Sequence, residues 1–230
     1  MDSTKSLYSK SIPSSVEEKF RHIILDAQYP CLGAKAAFNT EVYRMGHYGE
    51  LGSSAATEAM VPDLQRFIEE RETLNSNFTT FIAIFEQPVS MEEAYFEKLL
   101  WQQLSALHYL DDQPWNSSVS SNPDSNEFGF SFANTAFFII GLHANSSRVA
   151  RRFDHPTLVF NLHSQFDILK AEGKYQKMRK VIRERDQKLQ GHINPMAADF
   201  GTVTEARQYS GRKVSSAWKC PFLHENSNDE

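Results

Sequence analysis

Apolar residues recur along this chain at two periods, and the switches between them mark out its elements. Phe20, Ile23 and Ile24 lie at helical spacing behind Ser14 and Ser15. They predict a first helix capped by one of those serines and ending near Ala27. A short helix is expected over 34–39, after Gly33, and then a strand over 42–48 closed by Gly49 and Gly52. Met60, Leu64, Phe67 and Ile68 place a longer helix within 53–75, with Pro62 in an early turn or at its true start. Residues 79–85 read as a strand with Phe81, Ala83 and Phe85 on one side and Thr80, Ile82 and Ile84 on the other. Both faces are apolar, which suits an interior position in a sheet.

Ser90 and Glu93 have capping-box spacing ahead of a helix reaching Leu110, which buries Phe96, Leu99, Leu100, Leu104 and Leu107. The polar stretch 116–126 is a loop. Phe128, Phe130 and Phe132 then alternate with small residues, and the apolar run 136–142 follows through Ala133-Asn134-Thr135, a hairpin pattern. A strand is expected over 157–161, a helix from Ser164 towards Gly173, and a charged, solvent-facing helix over 174–189. Beyond Gly191 the periodicity lapses, and such irregular stretches are often functional. These elements predict an α+β fold with one mixed, largely antiparallel sheet of about five strands flanked by helices, and a long irregular C-terminal segment. The expected organisation is one domain over 16–223 with flexible tails at 1–15 and 224–230.

Composition narrows the function. The 230 residues are 40% hydrophobic, enough for one substantial core, and 17 are Phe. A net charge of −5 gives no basic footprint for nucleic acid. No run is long and apolar enough for a membrane span or a secretion signal, so a cytoplasmic protein without membrane attachment is expected. Three Asn-X-Ser/Thr matches, at Asn77, Asn116 and Asn145, are then read as chance. Strands lack the glycine-rich nucleotide signatures.

The candidate chemistry is sparse. The chain has two cysteines, both next to proline: Pro30-Cys31 and Cys220-Pro221. Proline pushes the residue before it to extended backbone, so Cys220 sits on a stiff stub, where a thiolate can ligate haem iron. Buried packing is the plain alternative. Cys31 is expected to be structural or to line a pocket. Its replacement by Ser would then leave any haem spectrum in place. His143 ends a buried strand and His163 stands where a strand passes into a helix, a usual position for ligand-binding groups. Arg148, Arg151 and Arg152 cluster after His143, and Arg207 and Arg212 lie in the late irregular stretch. Guanidinium forks suit carboxylates. Zinc lacks a sequence signature here, as does a cysteine–histidine hydrolase, although either thiol could serve the latter.

Several ordered blocks resemble the YqcI/YcgG family. They include Tyr29-Pro-Cys-Leu-Gly-Ala-Lys-Ala-Ala-Phe38, Tyr43-Arg-Met-Gly-His-Tyr-Gly49, Leu99-Leu-Trp-Gln-Gln103 and Gly141-Leu-His143. Pro156-Thr-Leu-Val-Phe-Asn161, Ile182-Arg-Glu-Arg-Asp186, Glu205-Ala-Arg-Gln-Tyr-Ser-Gly211 and Trp218-Lys-Cys-Pro-Phe222 continue the likeness over about residues 20–222. The family's closing block commonly reads Cys-Pro-Phe-His, whereas here Leu223 precedes His224. Some members resemble haem-dependent oxygenases that hydroxylate nitrogen on guanidino, amino or related groups. The resemblance implies haem as cofactor, O₂ or peroxide as oxidant, a separate electron donor and a small nitrogenous, amino-acid-like substrate. In the leading assignment Cys220 is the proximal thiolate, its pKa held down by Lys219, and His163 or His143 is distal. In the second assignment His163 holds the iron. Arg148 and Arg212 would take haem propionates or a substrate carboxylate, with Trp218 walling the cofactor. Asp199, Glu205 and Arg207 would contact substrate. A non-catalytic haem sensor and a metal- or thiol-dependent hydrolase are the alternatives.

Overall fold

The computed structural model describes residues 12–74, 76, 78–198 and 201–222. Helix α1 (Ser14–Leu25) and α2 (Leu32–Asn39) precede strand β1 (Tyr43–Glu50); α3 (Ser54–Glu70) leads into β2 (Thr80–Gln87) and α4 (Glu93–Tyr109). Strands β3 (Phe130–Phe132) and β4 (Thr135–Leu142) form a hairpin. They are followed by β5 (Thr157–Leu162), α5 (His163–Ala171), α6 (Tyr175–Gln190) and the short α7 (Ala206–Tyr209). The five strands form one sheet in the order β1-β2-β5-β4-β3. Only the β1–β2 pair is parallel, joined through α3. The fold is therefore α+β, with a mixed and mostly antiparallel sheet, as its periodicity predicts.

β2 lies inside the sheet because neither of its faces tolerates water. Phe81, Ala83 and Phe85 join Phe130, Phe137, Ile139 and Phe160 on one side, under α3 and α4. Ile82 and Ile84 join Met45 and Leu142 on the other, under Phe20 and Ile24 of α1 and Phe38 of α2. The result is three layers, with helices on both faces of the sheet. The Leu-Leu-Trp-Gln-Gln block locks one layer. Gln103, fully buried, accepts the Gly52 N–H at 3.0 Å and donates to Thr57 Oγ1 at 2.8 Å, while Gln102 donates to the Gly52 carbonyl. Gly52 holds φ +84°, a conformation glycine adopts without a Cβ penalty.

Several local starts and stops differ from the sequence expectation; α2, for one, begins at Leu32 and includes Gly33. α1 begins at Ser14 with Pro13 as its cap residue, and no serine side chain caps it. Pro62 lies well inside α3, whose start is fixed by Ser53 Oγ accepting the Ala56 N–H. The capping box at Ser90 and Glu93 does not form. Ser90 accepts from Asn145, and Glu93 accepts both the N–H and the hydroxyl of Ser147, so these side chains tie α4 to the loop after β4. Finally, α7 sits in the stretch that lacks periodic cues; four residues are too few to show a period.

On β1, a β-carbon at Gly46 would collide with the ring of Tyr48, whose hydroxyl donates to the buried Asp63 carboxylate at 2.9 Å. Gly46→Ala should cost about 3 kcal/mol, the upper end for overpacking a core. The midpoint of urea unfolding measures this; an unchanged midpoint would show that the Tyr48 ring yields freely.

Candidate functional site

A cavity of about 340 Å³ opens between the sheet and the α1, α2, α5 and α6 side. That volume falls within the range of small-molecule and cofactor sites, roughly 300–1,000 Å³. Its apolar walls include Phe20, Phe38, Ile82, Phe138, Ile140 and Phe166. Alternation places Ile140, Phe138 and Asn161 on this face of β4 and β5. α6 contributes Met178 and Ile182 beside Arg179, Arg183 and Asp186, so part of this charged helix is cavity wall rather than solvated surface.

The polar groups fall into two linked sets. At one, His163 begins α5 directly after β5, and its Nε2 lies 3.0 Å from the Glu205 carboxylate. The Tyr209 hydroxyl hydrogen-bonds the same carboxylate, accepts the Phe130 N–H at 3.1 Å and lies 3.2 Å from the Phe137 carbonyl. This row seats the chain end of α7 against the β3–β4 hairpin. Burial raises the Glu205 pKa, against the stabilising pull of His163 and Tyr209 on its charged form. Burial likewise pushes Tyr209 well up, so its hydroxyl stays protonated at neutral pH.

At the other set, Arg148 and Asp186 form a buried ion pair, and Asp186 also accepts the Asn194 N–H at 2.7 Å. The Arg148 side chain is 8% exposed, yet its Nη1 has no partner. Arg151 donates to the carbonyls of Gly141, Tyr209 and Gln208. Its pKa is lowered to about 10, first by burial and then by the charge of Arg148, with Tyr29, Cys31 and Asp186 pulling it back up. Cys31 lines the same cavity. It caps α2, its Sγ accepting the Ala34 N–H at 3.4 Å. Burial raises its pKa, while the Ala34 and Gly33 N–H groups and Arg151 favour the thiolate.

The structure thus brings His163, Glu205, Arg148, Arg151 and Cys31 to one cavity and places Cys220, Arg212, Trp218, Arg207 and His143 elsewhere. Cys220 packs partly buried against the core on the α3–α4 side of the sheet and does not line the cavity. Its thiol is pushed up to about 12 by burial, with Asp124 and Glu97 adding to the rise. The expected help from Lys219 is not there, because that ammonium turns out to Asp124 at 3.2 Å. Arg212 and Ser210 both bind the buried carboxylate of Glu97, and Trp218 Nε1 lies 3.4 Å from it. Arg207, on the surface, donates to the Ser215 carbonyl. His143 is buried and stacks on Phe96 at 4.4 Å; neither ring nitrogen has a partner, and burial lowers its pKa. Asp199 and His224 lie outside the described residues. Among the described residues no cluster of three or more His, Cys, Asp or Glu side chains is arranged to hold a metal ion. None of their helices is long and apolar enough to cross a membrane. Asp186 and Tyr209 were not singled out from sequence. Their signal was their place within the Ile182–Asp186 and Glu205–Gly211 blocks.

The chain belongs to the YqcI/YcgG family, whose model matches residues 20–223. No curated protein and no solved structure matches it.

At pH 8 Cys220 should be almost wholly protonated in the folded protein, because burial pushes its thiol up. Native alkylation of Cys220 by iodoacetamide should run roughly a hundredfold or more slower than in the urea-unfolded chain. Peptide mapping of the labelled protein measures it, and equal rates would contradict the field described around this thiol.

Proposed function

We propose that this YqcI/YcgG family member is a cytoplasmic haem-dependent oxygenase that hydroxylates a nitrogen, guanidino, amino or related, of a small amino-acid-like substrate. We place its working site in the cavity beneath α5 and α6. The observation that carries this reading is the pairing of extended apolar walls with a buried guanidinium, Arg148, that has a donor to spare. Haem has that composition: a flat apolar ring and carboxylates at one edge. When bound, haem supplies the activation of O₂ or peroxide, with electrons from a separate donor.

The chain's own residues do the rest. Phe138, Phe166 and Ile140 line the cavity and would pack on the ring or the aliphatic part of the substrate and exclude water. Arg148 takes a carboxylate through Nη1 while Asp186 holds its other nitrogen and so fixes the fork. Arg151 is spent largely on backbone carbonyls and acts as a fixed positive charge behind the cavity. The His163 ring lies 3.0 Å from the Glu205 carboxylate, which also accepts from the Tyr209 hydroxyl, so the three form one buried hydrogen-bonded row on the cavity. Glu205 is also the carboxylate on this cavity best placed to attract a cationic nitrogen, which would compete with His163 for it. The rival with a specific observation behind it is thiol-dependent catalysis, since Cys31 and His163 line the same cavity.

Titration of the purified protein with haemin should give a bound Soret band that saturates near one haem per chain. Arg148→Lys keeps the charge but loses the fork, and should weaken haem binding about tenfold or more, the value of a charge-assisted hydrogen bond. A folded parent protein with no bound Soret band would remove the haem reading and advance the thiol-dependent one.

A further inference from the structure

We infer that Cys31, rather than Cys220, is the thiolate that ligates the haem of the proposed site. The inference rests on the haem reading and narrows it to one atom. The chain has only two cysteines, so the choice is binary.

Position is the first argument. Cys31 lines the cavity, and Cys220 packs on the other side of the sheet. The β-sheet between them carries Phe81, Phe137 and Phe160 on the Cys220 side and Ile82, Phe138 and Val159 on the Cys31 side.

Electrostatics is the second. Cys31 is the cap of the eight-residue helix α2, so its sulfur meets the free N–H groups and the positive end of that helix. The Ala34 N–H donates to the sulfur at 3.4 Å, and the Arg151 guanidinium lines the same cavity. Beside Cys220, Lys219 is turned away to Asp124. Pro30 adds stiffness ahead of Cys31, as proline fixes its own φ and removes a donor.

The third argument is independent of the cysteine. Arg148, on the same cavity, is 8% exposed at its side chain and its Nη1 has no partner. A buried N–H of a cation without an acceptor is costly, and a carboxylate entering the cavity would satisfy it. The cavity thus presents a thiol at a helix N-terminus together with a buried guanidinium that has a donor to spare, the two features that the iron and the propionates of one haem would use. On ligation the S–H bond is replaced by S–Fe, the proton passes to solvent, and no electron is transferred.

The experiment is the absorption spectrum of the haemin-loaded protein, reduced under CO, for the parent, Cys31→Ser and Cys220→Ser, each first checked for folding by circular dichroism. A thiolate ligand shifts the CO band to markedly longer wavelength than an imidazole. The parent and Cys220→Ser should show the long-wavelength band. Cys31→Ser should lose it, or bind haem at least tenfold more weakly. If Cys31→Ser does not fold, Cys220→Ser decides alone: a surviving long-wavelength band leaves Cys31 as the sole thiol, and its loss assigns the ligand to Cys220. A parent that binds haem with only a histidine-type band overturns the inference and leaves the haem reading standing. A parent that binds no haem overturns both.

Discussion

A strand like β2 cannot lie against water on either face. Phe81, Ala83 and Phe85 leave it on one side and Ile82 and Ile84 on the other, all fully or almost fully buried. At roughly 25 cal/mol per Å² of apolar surface, uncovering either face would cost several kcal/mol, a large share of the roughly 5–15 kcal/mol by which a domain is stable. The sheet must be covered twice. One cover is dense: α3 and α4 bring Met60, Leu64, Phe67, Phe96, Leu100 and Leu104 against the phenylalanines. The second cover is built from shorter or more polar helices, and it does not close. α6 in particular offers Met178 and Ile182 among many charges. The cavity is the space left by this unequal pair of covers.

That origin explains its chemistry. The longest helix covering the second face, α6, is also highly charged, so it brings Asp186, Arg179 and Arg183 to the edge of an apolar floor, where the loop after β4 adds Arg148. In such surroundings a paired ion holds its partner firmly and an unpaired donor is costly. Arg148 has both conditions in one side chain. Arg151 settles a different problem. Its nitrogens collect the carbonyls of Gly141, Tyr209 and Gln208 and thereby pin α7 to β4. That clamp adds to the Tyr209 row, which ties α7 to the β3–β4 hairpin, in holding Glu205 beside His163.

The strands and the long helices were legible from sequence because burial writes itself as a short continuous apolar run in β2 and β4 and as a period of three to four in α3 and α4. The hairpin was legible too, and its two tight residues, Ala133 and Asn134, hold φ 47° and 53°, as a two-residue turn between twisted strands requires. Element starts were less readable. Ser90 and Glu93 satisfy a capping pattern, but the loop at 145–147 competes for the same oxygens and wins. The site was half visible. His163 was picked out at a strand end, Arg148 in an arginine cluster and Glu205 with the family resemblance, and they do meet at one cavity. Which of the two cysteines shares it could not be read locally, since both are flanked by proline. The answer depends on which face of the sheet each reaches, and that is a tertiary property.

The block Trp218-Lys-Cys-Pro-Phe222 has a physical role that needs no ligand. Phe222 lies 5.9 Å from the rings of both Trp115 and Phe128 and 6.2 Å from those of Trp101 and Phe130. Trp218 adds a contact with Trp101 at 6.4 Å. Aromatic pairs in such offset and edge-on geometries each contribute about 0.5–1.5 kcal/mol beyond the area they bury. Pro221 forces extended backbone at Cys220, which lets a chain without helix or strand deliver Phe222 into this cluster. Glu97, buried in the middle of α4, receives Arg212, Ser210 and Trp218 and so closes the same segment on its polar side. The Cys-Pro pair is then the hinge of an aromatic latch over the dense face of the sheet. Through Tyr209, stacked on Trp101 at 5.4 Å and bonded to Glu205, that latch is mechanically continuous with the cavity on the opposite face.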